Sequence, residues 1–246
     1  MDDISSELDV AADLLTRRGE LGGVGSPASW LADQVAASRT DEVGLSQWTS
    51  STVVDDNVQA PVFDEVTFDW LHRGTSTAAE FPIGHAGLMH TYGYLLSTVA
   101  TPYGLKRERW LTTDLAMALG EPPTQFYPTA STVPLMERVS TAVLPVLTDP
   151  AGIGRTVLAF DEVVDDGHRV RTVFVADPRS GTTAVVYGAI TGSSVRLVTT
   201  FPFGPLTSDW VTRRLAEPAR YRFNYAPPGA SPGSVFDGHT EIILAF

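Results

Sequence analysis

The sequence predicts an α+β fold, with N-terminal helices packed on a C-terminal antiparallel β-meander of at least four strands. Two observations carry that prediction. Residues 154–203 divide into four apolar, alternating runs separated by short turn sequences. Residues 3–20, 28–37, 86–100 and 105–119 instead repeat their apolar side chains at helical spacing. Hydrophobic residues make up 43% of the 246-residue chain and charged residues 19%, an ordinary balance for a chain that buries a core. The expectation is a single compact domain, 1–246, helical over 1–150 and sheet over 151–246.

Taken in order, residues 3–20 place Leu8, Val10, Ala11, Leu14 and Leu15 on one face, with Arg17 and Arg18 in the last turn where the helix dipole favours cations. Four glycines within 19–25 end that element, and Ser26-Pro27 opens a short helix over 28–37. Residues 38–62 read as a polar loop or an irregular strand, with Asp55-Asp56 solvated. Residues 62–72 (VFDEVTFDWLH) alternate loosely and predict a strand. Residues 86–100 predict a helix with Gly93 at its centre, at a cost of about 1 kcal/mol relative to alanine unless another group needs close approach there. Thr101-Pro102-Tyr103-Gly104 breaks it, and a second helix is predicted over 105–119. Four prolines make 120–134 a connection, and Pro145 argues against a long helix over 136–147. Strands are predicted at 155–163, 168–176, 182–190 and 194–203, joined at Asp166-Gly167, Asp177–Gly181 and Thr191-Gly192. A short helix over 207–215, a strand over 219–225 and an apolar strand over 240–246 complete the chain.

The candidate functional residues concentrate between Gly84 and Trp110. This stretch holds His85, His90, Tyr92, Tyr94 and Tyr103, and also Lys106, the only lysine beside 16 arginines. Lysine differs from arginine in losing its proton readily when buried, so a lone lysine points to chemistry arginine does not supply. Histidine titrates near neutrality and suits proton transfer. Lys106, Arg107 and Arg109 form a cation cluster able to hold an anion. The site is therefore expected to use His90, Lys106, His85 and Tyr94 in catalysis, with Arg107, Arg109, Tyr92, Tyr103 and Arg171 binding substrate. Arg171 enters because it shares a strand face with Arg169. His85 and His90 are five residues apart, which does not match the three- or four-residue spacing of helical zinc ligands, so neither a metal nor a cofactor is expected.

These residues point to a metal-independent hydrolase or lyase acting on a small carboxylate or phosphate. Two alternatives stand beside it: a ligand-binding or protein-interaction protein, including a homo-oligomer, and a metal-free RNA-cleaving enzyme. A net charge of −12 argues against nucleic acid as a partner. No apolar run is long enough for a membrane span, cysteine is absent, and the acidic start MDDISSELD lacks a secretory pattern, so a cytoplasmic protein is expected. Walker A, G-x-G-x-x-G and zinc-ribbon motifs are missing from the sequence.

Overall fold

The computed structural model describes residues 2–22, 25–165, 168–177, 181–204, 207–216 and 240–245. Helices dominate the first 150 residues, and the rest is built on an antiparallel sheet, as the α+β expectation required. The helical part begins with α1 (Asp2–Arg18), α2 (Ser29–Ser38) and α3 (Glu42–Ser46). Three short strands follow: β1 (Ser50–Thr52), β2 (Val54–Asp55) and β3 (Ala60–Pro61). Next come α4 (Glu65–Thr75) and β4 (Ile83–His85), where β4 pairs with β1 and β2 with β3. A π-helical turn (Leu88–Gly93) leads to α5 (Glu108–Leu111), α6 (Asp114–Leu119) and α7 (Leu135–Thr148).

The sheet contains β5 (Thr156–Asp165), β6 (His168–Ala176), β7 (Thr183–Thr191) and β8 (Ser194–Phe203) as a continuous antiparallel meander. Strand β9 (Thr240–Ala245) pairs with β5 and gives the order β8-β7-β6-β5-β9. The turn proposed at Asp166-Gly167, residues 178–180 of the turn proposed at Asp177–Gly181, and the strand proposed at 219–225 lie outside the described residues. Both faces of the sheet are covered. Val157, Ala159, Val173, Val175, Ala184 and Val186 join the same buried cluster as the helices, against α6 and α7. On the other face Phe160, Phe174 and Val185 pack with Phe203, Trp210 and Leu215, the last two from α8 (Ser208–Ala216). Period-2 alternation with both faces apolar explains why these strands read so clearly.

Several expectations fail for identifiable reasons. Residues 65–75 form a helix, not a strand: Asp64 accepts the Thr67 N–H at 2.8 Å as an N-cap, and Phe68, Leu71, His72 and Thr75 then line one buried face. The predicted helix over 105–119 is two helices, because the backbone is extended at Thr112. The helix over 86–100 is shorter and widened into a π turn. Residues 135–148 are helical despite Pro145. Pro145 sits in the last turn, so the one hydrogen bond it removes comes after the buried face from Leu135 to Val143 is already formed. Gly93 does permit a close approach, from the Phe63 ring: a Cβ there would lie 2.6 Å from two ring carbons.

Candidate functional site

Two backbone irregularities meet at one side chain. Tyr187 pairs with Thr199 and Gly188 with Leu197, so Val198 is an extra residue on β8, a β-bulge. Facing it is the π-helical turn, which contains His90. Such turns and bulges often accompany functional sites because each re-aims a side chain. His90 Nδ1 donates to the Val198 carbonyl at 2.6 Å. A carbonyl only accepts, so Nδ1 carries the proton and Nε2 presents a lone pair. Nε2 is buried and has no hydrogen-bond partner. The Trp110 indole N–H donates to the His90 carbonyl at 2.9 Å and fixes the turn to α5. Beside Val198, residues 47–49 run parallel along the β8 edge: the Leu197 N–H donates to Gln47 at 2.8 Å, and the Thr49 N–H donates to Leu197 at 2.9 Å.

Around His90 the structure gathers Tyr94, Lys106, Arg109 and Asp55. The His90 and Tyr94 rings stack with centroids 4.7 Å apart, which is the one-turn spacing the sequence suggested. Arg109 lies 4.8 Å from the centroid of the Tyr94 ring, and Lys106 Nζ lies 5.8 Å from it. Lys106 is ion-paired to Asp55 at 2.5 Å, with side-chain exposures of 16% and 2%. The other carboxylate oxygen of Asp55 accepts from the backbone and side chain of Asn57. Asp55 is thus a buried partner, which overturns the expectation that it is solvated. Arg109, only 9% exposed, spends Nη1 on the Thr199 hydroxyl (3.1 Å) and the Thr200 carbonyl (2.9 Å). It forms no ion pair among the described residues.

The electrostatics follow from burial. Desolvation, then the Arg109 charge and more weakly Lys106 and His85, push the His90 imidazole well below its usual range, so it is neutral. Desolvation lowers Arg109 to about 10, partly opposed by Tyr94 and Asp55, and it stays a cation at neutral pH. Burial and Arg109 lower Lys106, while Asp55 opposes them. Burial alone would raise the Asp55 carboxyl, but Lys106 and the Asn57 donors overcome it and hold the group below its ordinary value. With His90 neutral, the buried charges of the cluster are two cations and the Asp55 carboxylate, and the exposed Asp56 carboxylate acts more weakly on Lys106.

The remaining candidate residues lie elsewhere. Arg107 points away from the cluster, to Asp9 at 2.7 Å and the Ser97 carbonyl at 2.7 Å. Tyr92 is hydrogen-bonded to Ser38 at 3.0 Å, and its hydroxyl is pushed up to about 12 by burial. Tyr103 is 80% exposed at its turn. Arg171 grips Asp161 with Nε and Nη2 (2.6 and 2.9 Å) and caps α7 through the Leu147 carbonyl. His85 has both ring nitrogens engaged, by the Leu45 carbonyl and the Leu88 N–H, and its own backbone N–H donates to His72 Nε2. It borders a groove of about 730 Å³ lined also by Trp48, Glu80, Phe81, Ile83 and Arg196.

Sequence reasoning missed Asp55, Val198, Thr199 and Thr200. The first is 51 positions from Lys106 and the others about 90 or more from His90 and Arg109, so no local spacing could mark them; the lone lysine in an acidic chain implied only that some carboxylate would meet it. Among the described residues no group of three or more histidine, aspartate or glutamate side chains is gathered as a metal site, and no helix is long and apolar enough to cross a membrane. No protein-family model, curated protein or solved structure matches the chain.

Proposed function

We propose that this protein is a metal-independent enzyme of the hydrolase or lyase type that acts on a small anionic substrate. His90 is the proton acceptor, and Arg109, supported by Lys106, holds the anion. The observation that carries this reading is the pairing of two unmet needs. His90 Nε2 is a buried lone pair with no donor among the described residues, and Arg109 is a buried cation that forms no ion pair among them, with Asp55 acting on it only at longer range. Leaving such groups unmatched costs about 1–3 kcal/mol for a polar atom and more for a charge, so a ligand that supplied both would gain that energy on binding.

The chemistry is proton removal beside a negative group. A substrate O–H, N–H or C–H proton passes to Nε2, the bonding electrons stay on the substrate atom, and the ring becomes an imidazolium. Arg109 and Lys106 stabilise the charge that develops on the substrate. The same cations depress His90 in the ligand-free protein. A bound anion offsets Arg109 and relieves that repulsion, so the base strengthens when substrate is present. Burial of Nε2 also favours a second reading, a binding protein without turnover.

The test is a thermal-shift screen of small carboxylates and phosphates, followed by a turnover assay on each hit. A ligand at a hundredfold excess over its dissociation constant stabilises by about 2.7 kcal/mol. His90→Asn keeps a donor for the Val198 carbonyl and removes Nε2. The expected result is retained binding and a loss of turnover of about 10²-fold or more. Unchanged turnover in His90→Asn would remove His90 from the chemistry, and binding with no turnover in the wild type would establish the second reading.

A further inference from the structure

Arg109 is held so that one edge of its guanidinium is left over. Nη1 makes both of its protein hydrogen bonds, to Thr199 and Thr200. Nε and Nη2 make none among the described residues. Those two N–H groups point the same way and form the side-on fork that matches two oxygens of one planar group. Among the described residues no acceptor meets that edge. The neighbours are the rings of Tyr94, Trp110 and Phe201, at 4.8, 5.8 and 5.5 Å from the guanidinium carbon, and ring carbons offer no in-plane acceptor.

Charge narrows the choice of oxyanion. Asp55 already answers Lys106 through a contact of 2.5 Å, with the exposed Asp56 carboxylate behind it, so at most the one positive charge of Arg109 remains. A monoanion balances it. A phosphate dianion would leave an excess negative charge in a largely buried setting with Asp55 close by, which is costly to desolvate. Phe201, the partly exposed ring of the three, also favours a ligand with an apolar or aromatic body next to its charged end.

We infer that the anion bound at this site is a monocarboxylate with an apolar or aromatic body, held side-on by Arg109 Nε and Nη2 beside the Phe201 ring. The inference rests on the reading of this cluster as an anion site and adds the class of anion. Three probes separate the alternatives on the wild-type protein by calorimetric titration: benzoate, phenyl phosphate and benzamide. Benzoate binds, phenyl phosphate binds at least tenfold more weakly, and neutral benzamide shows no binding at tenfold higher concentration. In a nitrogen-edited NMR spectrum the Arg109 Nε–H signal shifts on adding benzoate. Arg109→Lys keeps the charge but loses the fork, and weakens benzoate at least tenfold; the comparison among the three probes does not depend on that variant folding. Phenyl phosphate binding as tightly as benzoate would overturn the carboxylate assignment and leave the anion site standing. No binding by either anion would overturn both.

Discussion

Removing the carboxylate of Asp55 should cost far more than removing the ammonium of Lys106, although the two form one ion pair. The pair is short, 2.5 Å, with 2% and 16% of the side chains exposed. Breaking such a pair by deleting one partner costs about 3–5 kcal/mol, because the survivor stays desolvated. The survivors differ here. In Asp55→Asn two cations, Lys106 and Arg109, lose their nearest negative charge, since Asp55 supports both. In Lys106→Met the carboxylate keeps the Asn57 donors and still faces Arg109. The expected losses are about 3–5 kcal/mol for Asp55→Asn and about 1–2 kcal/mol for Lys106→Met. The double variant should recover at least about 1 kcal/mol of their sum, a coupling typical of residues in contact. Urea unfolding at pH 7 measures this, provided the m-value is unchanged. Adding 0.5 M salt should change the coupling little, because burial limits screening. Two equal losses below about 1 kcal/mol that simply add would mean an exposed pair, and the charge ledger of the cluster would be wrong.

Two further predictions probe the frame of the site. His72, His85 and His90 are all held below their usual range by burial, His85 at about 4. The neutral rings stabilise the fold fully above the unfolded value near 6.5, and that contribution is lost as pH falls through each folded value, with a slope of up to about 1.4 kcal/mol per pH unit per histidine. His85 alone accounts for about 3 kcal/mol between pH 6.5 and 4. Urea midpoints measured from pH 7.5 to 4.5 should drop steadily below 6.5, and a flat profile down to pH 5 would contradict the buried neutral state. Gly93→Ala tests the π turn. Helix propensity alone would make it stabilising by about 1 kcal/mol. A Cβ 2.6 Å from the Phe63 ring and 3.1 Å from Leu71 should instead make it destabilising by about 1–3 kcal/mol. Phe63→Leu in the same chain should return part of the loss, and a raised melting temperature for Gly93→Ala alone would refute the packing argument.

What was legible in the sequence was whatever local pattern controls. The meander from 156 to 203 follows from alternation, and the Thr191-Gly192 turn closes a tight hairpin with Gly192 at φ 59. The Thr101–Gly104 turn forms as its proline and glycine imply. The segment 62–72 misled because its apolar residues fit either period, and the deciding fact was the Asp64 cap. Within the candidate site, proximity in sequence was a good guide for His90, Tyr94, Lys106 and Arg109 and a poor one for their neighbours. Arg107 and Arg109 are two positions apart and point to opposite sides, one to Asp9 and the other to β8. Tyr92 and Tyr94 part in the same way. Adjacent cations could not be told apart until the helices over 108–119 were known to be short.

The placement of His90 has a consequence for how base and cation work together. A histidine locked by Val198 cannot swing away from Arg109, because the bulge that frees that carbonyl and the π turn that aims the ring are set by the backbone. Arg109 is held on the same strand two residues further on, through Thr200. The lone pair and the cation are therefore fixed to one frame, and their mutual influence changes through charge and not through distance. Arg109 lowers the basicity of His90, and a bound anion reverses that effect in place. It follows that the His90 ring should titrate at higher pH with benzoate bound than without it, by NMR of its ring protons. Lys106, with its own carboxylate, and the neutral His85 remain as a constant background. An unchanged titration with ligand bound would show that the anion does not sit against Arg109, and would separate the proton acceptor from the anion site.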